Sequence, residues 1–250
     1  MTPSVRAGVF LVAAAGFGAV LVAGFAGLPD FGHYAGIYGT ALSHLAVPER
    51  HATDVVTAIN FDYRAYDTLG EEFILFASVL GLAILLRQQR GEHERSPSEA
   101  SEEHHFPGSS TALRATGLAL IGPTLVLGVY IVSHGTLTPG GGFQGGVVLA
   151  AALLIVFLAG EYLALKVVAP HAMVEFSEAL GAAGYGLVGV GGLVFAGTFF
   201  HNFLPLGTAG KLLSAGTMPI SNIAVGVEVA GAFVLLWTEF FDQALVIGGE

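Results

Sequence analysis

Six long apolar runs separated by polar segments are the feature that most constrains the fold of this chain. Each run is close to the length of about 20 apolar residues that a helix needs to cross a bilayer. The chain is 54% hydrophobic and 11% charged, whereas a soluble domain has roughly 25% charged residues. The sequence therefore predicts an all-α integral membrane protein with transmembrane helices over residues 6–28, 70–87, 112–133, 143–166, 176–200 and 219–241.

A polar segment divides these runs into groups of two and four. Residues 89–111 are rich in Ser, Glu and His, have no apolar periodicity and are typical of a disordered linker. The predicted organisation is a two-helix domain over 1–88, this linker, and a four-helix domain over 112–250. Because Lys and Arg stay on the cytoplasmic side, their distribution places both termini and the linker in the cytoplasm and predicts a multi-pass protein of the cell membrane.

Several function classes are disfavoured by composition. The chain has no cysteine, which excludes disulfides and cysteine-ligated metal or iron–sulfur centres. A net charge of −10 disfavours nucleic acid, whose phosphates require a basic partner surface. No nucleophilic triad, phosphate-binding loop or metal-ligand spacing is present in the sequence. We therefore expect neither a metal nor a cofactor, and no enzyme that acts alone.

A Gly/Pro-rich corner lies between the third and fourth predicted helices. Proline fixes φ and removes a backbone donor, whereas consecutive glycines permit positive φ and close backbone approach. The residues that shape this corner are Pro139, Gly140, Gly141, Gly142, Phe143 and Gln144, and His134 just before them is a candidate proton relay. A hairpin turn without chemistry is the alternative interpretation.

This corner, with the helices that follow, resembles the MnhB/MrpB domain over roughly residues 112–245. That domain is a small membrane subunit of multi-subunit Mrp-type sodium/proton antiporters, and it recurs in the ion-translocating part of membrane-bound hydrogenases. The resemblance implies partners in a hetero-oligomeric complex, with Na⁺ and H⁺ as the transported ions.

An acidic segment precedes the second predicted helix and contains Asp62, Arg64, Asp67, Glu71 and Glu72. One interpretation is structural: Thr68 and Glu71 match a capping box, and the two glutamates occupy the first helical turn. Asp62 and Asp67 flank Arg64 and are expected to pair with it. The other interpretation is functional, since acids beside low-dielectric walls concentrate cations.

The stretch from Asp62 to Glu71 also resembles the D-x-R-x-x-D-T-L-G-E motif of MbhE-type domains, found too at the C-terminal end of the largest Mrp subunit. This second resemblance covers roughly residues 8–88. It implies that two neighbouring family modules are fused in one chain.

Glu228 lies near the middle of the last predicted helix. Ionisable groups inside a bilayer are costly and are usually paired or functional. Glu228 is therefore either a neutral acid between helices, the partner of a base on another subunit, or part of an ion path.

Three functions remain open from the sequence. The first is an Mrp-type monovalent cation/proton antiporter subunit, the second an ion-translocating subunit of a hydrogenase or related respiratory complex, and the third an assembly spacer. The identity of the cation is left open.

Overall fold

The computed structural model describes residues 3–28, 36–86 and 110–247, and within these ranges it is helical with no strand. A π-helical turn, Ile59–Tyr63, connects the short helix Val55–Ala58 to the helix Ala65–Leu86. The helices are α1 (Pro3–Ala26), α2 (Ile37–Arg50), α3 (Val55–Ala58), α4 (Ala65–Leu86), α5 (Thr111–Ser133), α6 (Gly142–Val168), α7 (His171–Ala196) and α8 (Met218–Ile247).

Six helices of the described part, α1 and α4 to α8, are long and apolar enough to cross a membrane. The prediction of an all-helical, multi-pass membrane protein is confirmed. The segment between the first two predicted spans, for which the sequence suggested no structure, contains α2, α3 and the π-helical turn. The predicted linker falls outside the described residues apart from its last two positions, so the division into domains stays a prediction.

Contacts divide the chain into two compact units, residues 1–40 and 41–250. The first unit contains α1, whose side chains are almost all exposed and apolar, as suits a helix surrounded by lipid or by other subunits. In the second unit, α5 packs on α6, and α8 packs against α4, α6 and α7. α8 is the most buried of the candidate spans, and it forms the centre of this unit.

The bounds of α7 differ from the predicted helix 176–200. Pro170 occupies the position before its first turn, and Gly197 ends it with a left-handed φ of 76°. Proline is tolerated at a helix start because the first amides have no intrahelical partner. Glycine adopts positive φ without steric cost, which makes it a common helix terminator. The helix therefore begins five residues earlier than predicted, and Glu178 lies two turns inside it.

Candidate functional site: a buried carboxyl cluster

Hydrogen bonds to the π-helical turn and to the first residue of α4 fix the start of this helix. Thr68 Oγ1 donates to the carbonyl oxygen of Asn60 at 2.8 Å, and the Tyr185 hydroxyl donates to that of Ala65 at 2.9 Å. These bonds satisfy backbone carbonyl groups at the point where the π-helical turn changes to the α-helix. A π-helical turn of this kind is often found at functional sites. Because α4 already begins at Ala65, Thr68 lies within the helix, and the predicted capping box of Thr68 and Glu71 is wrong.

Three carboxylic acids from three helices lie in the interior of the bundle. Glu72 on α4 is 4% exposed, Glu178 on α7 is 5% exposed and Glu228 on α8 is fully buried. Glu228 interacts electrostatically with both Glu72 and Glu178. We name these three residues the carboxyl cluster. The first-turn position predicted for Glu72 is wrong, since α4 begins at Ala65, seven residues or two turns before it.

Close approach of α7 and α8 brings two of these acids together. A methyl group added to Gly181 would lie 2.4 Å from the amide nitrogen of Glu228, well inside van der Waals contact. On the facing helix, a methyl group on Gly231 would lie 2.8 Å from the amide nitrogen of Glu178. Only glycine allows this spacing at both positions, and the two backbones can therefore place Glu178 and Glu228 opposite each other.

The carboxyl cluster is short of hydrogen-bond partners. Both side-chain oxygens of Glu228, Oε2 of Glu72 and Oε1 of Glu178 are buried without a well-formed hydrogen bond to any described residue. Buried charges are costly unless they are paired, and neighbouring carboxylates also repel one another. The cluster can lower this cost by holding protons or a small cation. Chemically, it is suited to exchange one for the other.

The Gly/Pro corner is attached to the first turns of α8. Gly140 and Gly141 have φ values of 142° and 132°, which side-chain-bearing residues rarely adopt. The Gly142 amide donates to Oδ1 of the fully buried Asn222 at 2.8 Å, and Asn222 Nδ2 donates to the Met218 carbonyl oxygen at 3.2 Å. The corner therefore fixes the start of the helix that carries Glu228.

The other predicted corner residues lie at the surface of the described chain. Pro139, Phe143 and Gln144 are exposed, and Phe143 makes an edge contact with Phe233 at 6.5 Å between ring centroids. His134 stacks on Tyr130 at 4.0 Å, and its Nδ1 lies 3.1 Å from the Tyr130 carbonyl oxygen. These contacts of His134 are with the end of α5.

Asp62, just before α4, and Asp67, in its first turn, are both paired with nearby groups. Asp62, whose side chain is 8% exposed, forms a salt bridge to Arg50 Nε at 2.8 Å and accepts a hydrogen bond from Asn202 Nδ2 at 3.0 Å. Asp67 pairs with Arg64, as expected, and both side chains are at least half exposed. The partners of Asp62 come from α2 and from the loop after α7, and the local sequence gave no signal for them.

A cavity of about 480 Å³ lies beside the ion pair of Asp62 and Arg50. It is lined by Arg50, Asp62, Tyr63, Thr198, Phe199, Phe200, His201, Asn202 and Leu206. Burial raises the pKa of the Tyr63 hydroxyl, against the opposing effect of Arg50. Tyr63 therefore stays a neutral donor, and its hydroxyl donates to Glu49 Oε2 at 3.3 Å. Glu71 is exposed on α4.

Comparison with known proteins identifies the family. Residues 112–235 match the family described as a domain related to the MnhB subunit of Na⁺/H⁺ antiporters. An uncharacterised protein of Methanocaldococcus jannaschii is 33% identical over 213 residues, which cover 78% of this chain and 77% of that protein. The chain belongs to the MnhB-related family.

Two solved structures share the fold of this MnhB-related protein. A chain of the membrane-bound sulfane sulfur reductase, an archaeal respiratory membrane complex, superimposes with a TM-score of 0.71 at 28% identity, covering 95% of this chain and 98% of that one. A chain of the Mrp complex from Dietzia sp. DQ12-45-1b gives a TM-score of 0.70 at 23% identity over 95% of this chain. The match spans only 26% of that longer chain.

The carboxyl cluster extends across the boundary of the MnhB-related domain. Glu178 and Glu228 lie inside the matched residues 112–235, whereas Glu72 comes from α4, outside them. The N-terminal part of the chain thus completes a site that the MnhB-related domain only partly contains.

Of the predicted site residues, the structure brings Glu72 and Glu228 together. Glu178, Tyr185 and Asn222 were missed. For Glu178 a usable signal existed, because Pro170 marks the helix start that would have placed this acid in the interior. For Tyr185 and Asn222 no local signal existed, since their partners are distant in sequence.

Proposed function

We propose that this chain is a membrane subunit of a multi-subunit Mrp-type monovalent cation/proton antiporter, in which it contributes part of the ion path. The carboxyl cluster is the observation that carries this proposal. Its buried oxygens, with acids as the charged neighbours of Glu228, favour a site that takes up protons or a cation, and it lies largely within an MnhB-related domain.

In this proposal Na⁺ and H⁺ compete for the cluster. Glu228 is its central group, because it is fully buried and interacts with both other acids. Binding Na⁺ requires deprotonated carboxylates, whereas protonation removes the charge that holds the cation. Alternating occupancy of this kind couples the two ions without any redox chemistry in this chain.

The acids at positions 62, 67 and 71, one before α4 and two in its first two turns, have a different proposed role. Asp62, Asp67 and Glu71, with Arg64 among them, would concentrate cations near the start of the path, since negative charge at a membrane surface raises the local cation concentration. His134 remains a proposed relay. Its nitrogen lies beside a backbone carbonyl at the end of α5.

We also propose that the chain acts only with partner subunits, within a lipid bilayer and with both termini in the cytoplasm. Both structural matches come from multi-subunit membrane complexes. The exposed apolar faces of its helices are available to lipid and to neighbouring subunits. The fusion of an MbhE-like N-terminal module to the MnhB-related domain belongs to the same proposal.

The test begins with native purification of the tagged chain in mild detergent and mass spectrometry of the bound subunits. The complex is then reconstituted in vesicles, and Na⁺-driven proton movement is measured with a pH-sensitive dye. Large antiporter-like subunits and Na⁺-dependent proton movement are the expected results. A chain that purifies without partners, or a complete complex without exchange, would refute the proposal.

A second candidate is an ion-translocating subunit of a respiratory complex related to membrane-bound hydrogenases. The match to the sulfane sulfur reductase chain favours it, because identity is higher and nearly the whole of that chain is covered. Iron–sulfur or other redox subunits among the bound proteins would select this alternative. The carboxyl cluster would then serve redox-driven ion transport.

A further inference from the structure

A second group of titratable side chains lies where the C-terminal ends of α6 and α8 meet the N-terminal end of α7. His171, the first residue of α7, is its centre. Its Nδ1 lies 3.4 Å from Oε2 of Glu175 on the same helix, and its Nε2 lies 3.0 Å from Oε1 of Glu239 on α8. Both ring nitrogens therefore face carboxylate oxygens.

This arrangement matches a histidine that has bound a proton. A neutral imidazole has one N–H donor and one acceptor nitrogen, whereas an imidazolium has two donors. A carboxylate accepts hydrogen bonds but cannot donate them. The Nε2 contact with Glu239 is a hydrogen bond, the Nδ1 contact with Glu175 is a longer charge contact, and a protonated His171 satisfies both. Among the described residues no group of His, Asp and Glu has the arrangement of a metal site.

A small cavity next to His171 extends this group towards α6. It has a volume of about 200 Å³, and Tyr162, Lys166, His171 and Asp242 supply its polar lining. Asp242 interacts with Tyr162 and Lys166, and its Oδ1 is buried without a hydrogen bond to a described residue. A cavity of this size holds several water molecules, at about 30 Å³ each. Water there can transfer protons between Asp242 and His171.

The same helices connect this group to the carboxyl cluster. His171 and Glu178 are seven residues apart and lie on one face of α7, about 10 Å apart along its axis at 1.5 Å per residue. Glu228 and Glu239 lie about three turns apart on α8. Val174 and Leu235, both buried, are part of the apolar layer between the two groups. The two groups are therefore neighbours along the bundle, separated by an apolar layer that spans about two turns of α7.

We propose that His171, with Glu239 and Asp242, forms a proton-collecting site that supplies Glu178 and Glu228. Among the described side chains, the titratable groups that face it are Tyr162 and Lys166 on α6, Glu175 on α7, and Glu239 and Asp242 on α8. The acids raise the local proton concentration, and the histidine changes charge near neutral pH. This inference rests on the proposed function, because it assigns the proton side of the exchange to one end of the bundle.

The test compares His171→Gln with His201→Gln in the reconstituted complex. His201 is also an exposed histidine, but it lies in the loop after α7, at the other end of that helix. We expect His171→Gln to lower exchange about tenfold at alkaline pH, the low end of the effect of electrostatic focusing on rates. Exchange should recover at acidic pH, and the Na⁺ dependence should not change. His201→Gln should keep the wild-type pH profile.

Glu239→Gln is the second variant, because it keeps an acceptor oxygen facing His171 while it removes the charge. It should shift the pH profile in the same direction. Wild-type pH profiles for both His171→Gln and Glu239→Gln, at normal complex levels, would overturn the proton-collecting site and leave the proposed function intact. A wild-type complex that exchanges no monovalent cation for protons would instead overturn the proposed function, and this inference with it.

Discussion

The carboxyl cluster and the Asp62 ion pair contain the same chemical group in contrasting surroundings. The Asp62 side chain is 8% exposed, so its carboxyl group is also largely removed from water. Asp62 nevertheless has a guanidinium at 2.8 Å and an amide donor at 3.0 Å. Glu228, at the centre of the cluster, has acids as its charged neighbours. Burial alone therefore does not distinguish a structural acid from a transport acid.

The charged groups next to each acid distinguish the Asp62 ion pair from the carboxyl cluster. A buried acid paired with a base has its charge compensated within the fold, and removing either member leaves the other unpaired. A buried acid without such a partner depends on a mobile ion for its compensation. The first arrangement favours a fixed structure, whereas the second favours exchange of ions. Substitutions at the two sites should therefore differ in what they change.

The largest effect is expected from Glu228→Gln. Glutamine keeps nearly the same volume but can neither release a proton nor compensate a cation with its charge. We expect cation/proton exchange to fall by about 100-fold, the low end for loss of a proton-transferring group. The measurement is Na⁺-driven proton movement per assembled complex. Glu49→Gln, an exposed acid on α2, is the control, and equal activities of the two variants would remove Glu228 from the ion path.

Glu178→Gln should have the next largest effect, about tenfold in exchange rate, equivalent to about 1.4 kcal/mol in the barrier. The reason for a smaller loss is that one Glu178 oxygen is buried without a partner, compared with both in Glu228. The loss in Glu178→Gln is measured from initial exchange rates at several Na⁺ concentrations. A rate within twofold of wild type would reduce the functional site to Glu72 and Glu228.

The case of Glu178 shows where sequence-based prediction ends. The six apolar helices could be predicted, because length and composition suffice for a membrane span. Glu228 could be proposed as well, since an acid near the middle of a span is conspicuous. Glu178 was missed, because the predicted helix start at residue 176 lies five residues after the observed one and left this acid near the helix end. The pairing of Asp62 with Arg50 and Asn202 depends on tertiary contacts, which periodicity and composition do not contain.

A change in helix spacing should affect the cluster without touching a carboxyl group. In Gly181→Ala the new methyl group would overlap the backbone of α8 beside Glu228. Overpacking of this kind costs about 1–3 kcal/mol, so we expect a lower thermal midpoint of the purified complex and a lower exchange rate. Gly186→Ala on the same helix is the matched control, since its methyl group would meet no atom within 4 Å. Equal midpoints for both variants would contradict the close contact.

The smallest effect is expected from Asp67→Asn, because Asp67 is an exposed acid outside the buried carboxyl cluster. Asp67 is half exposed and paired with Arg64, so the loss of its charge changes the local cation concentration and leaves the buried cluster in place. We expect the KM for Na⁺ to rise by about twofold at low salt, because a single exposed charge contributes little in water. The rise should vanish near 1 M inert salt, where the screening length is about 3 Å. Choline chloride can supply the ionic strength without competing for a Na⁺ site. A loss of maximal rate that persists at high salt would instead place Asp67 within the ion path itself, and the contrast between surface and buried acids would then fail.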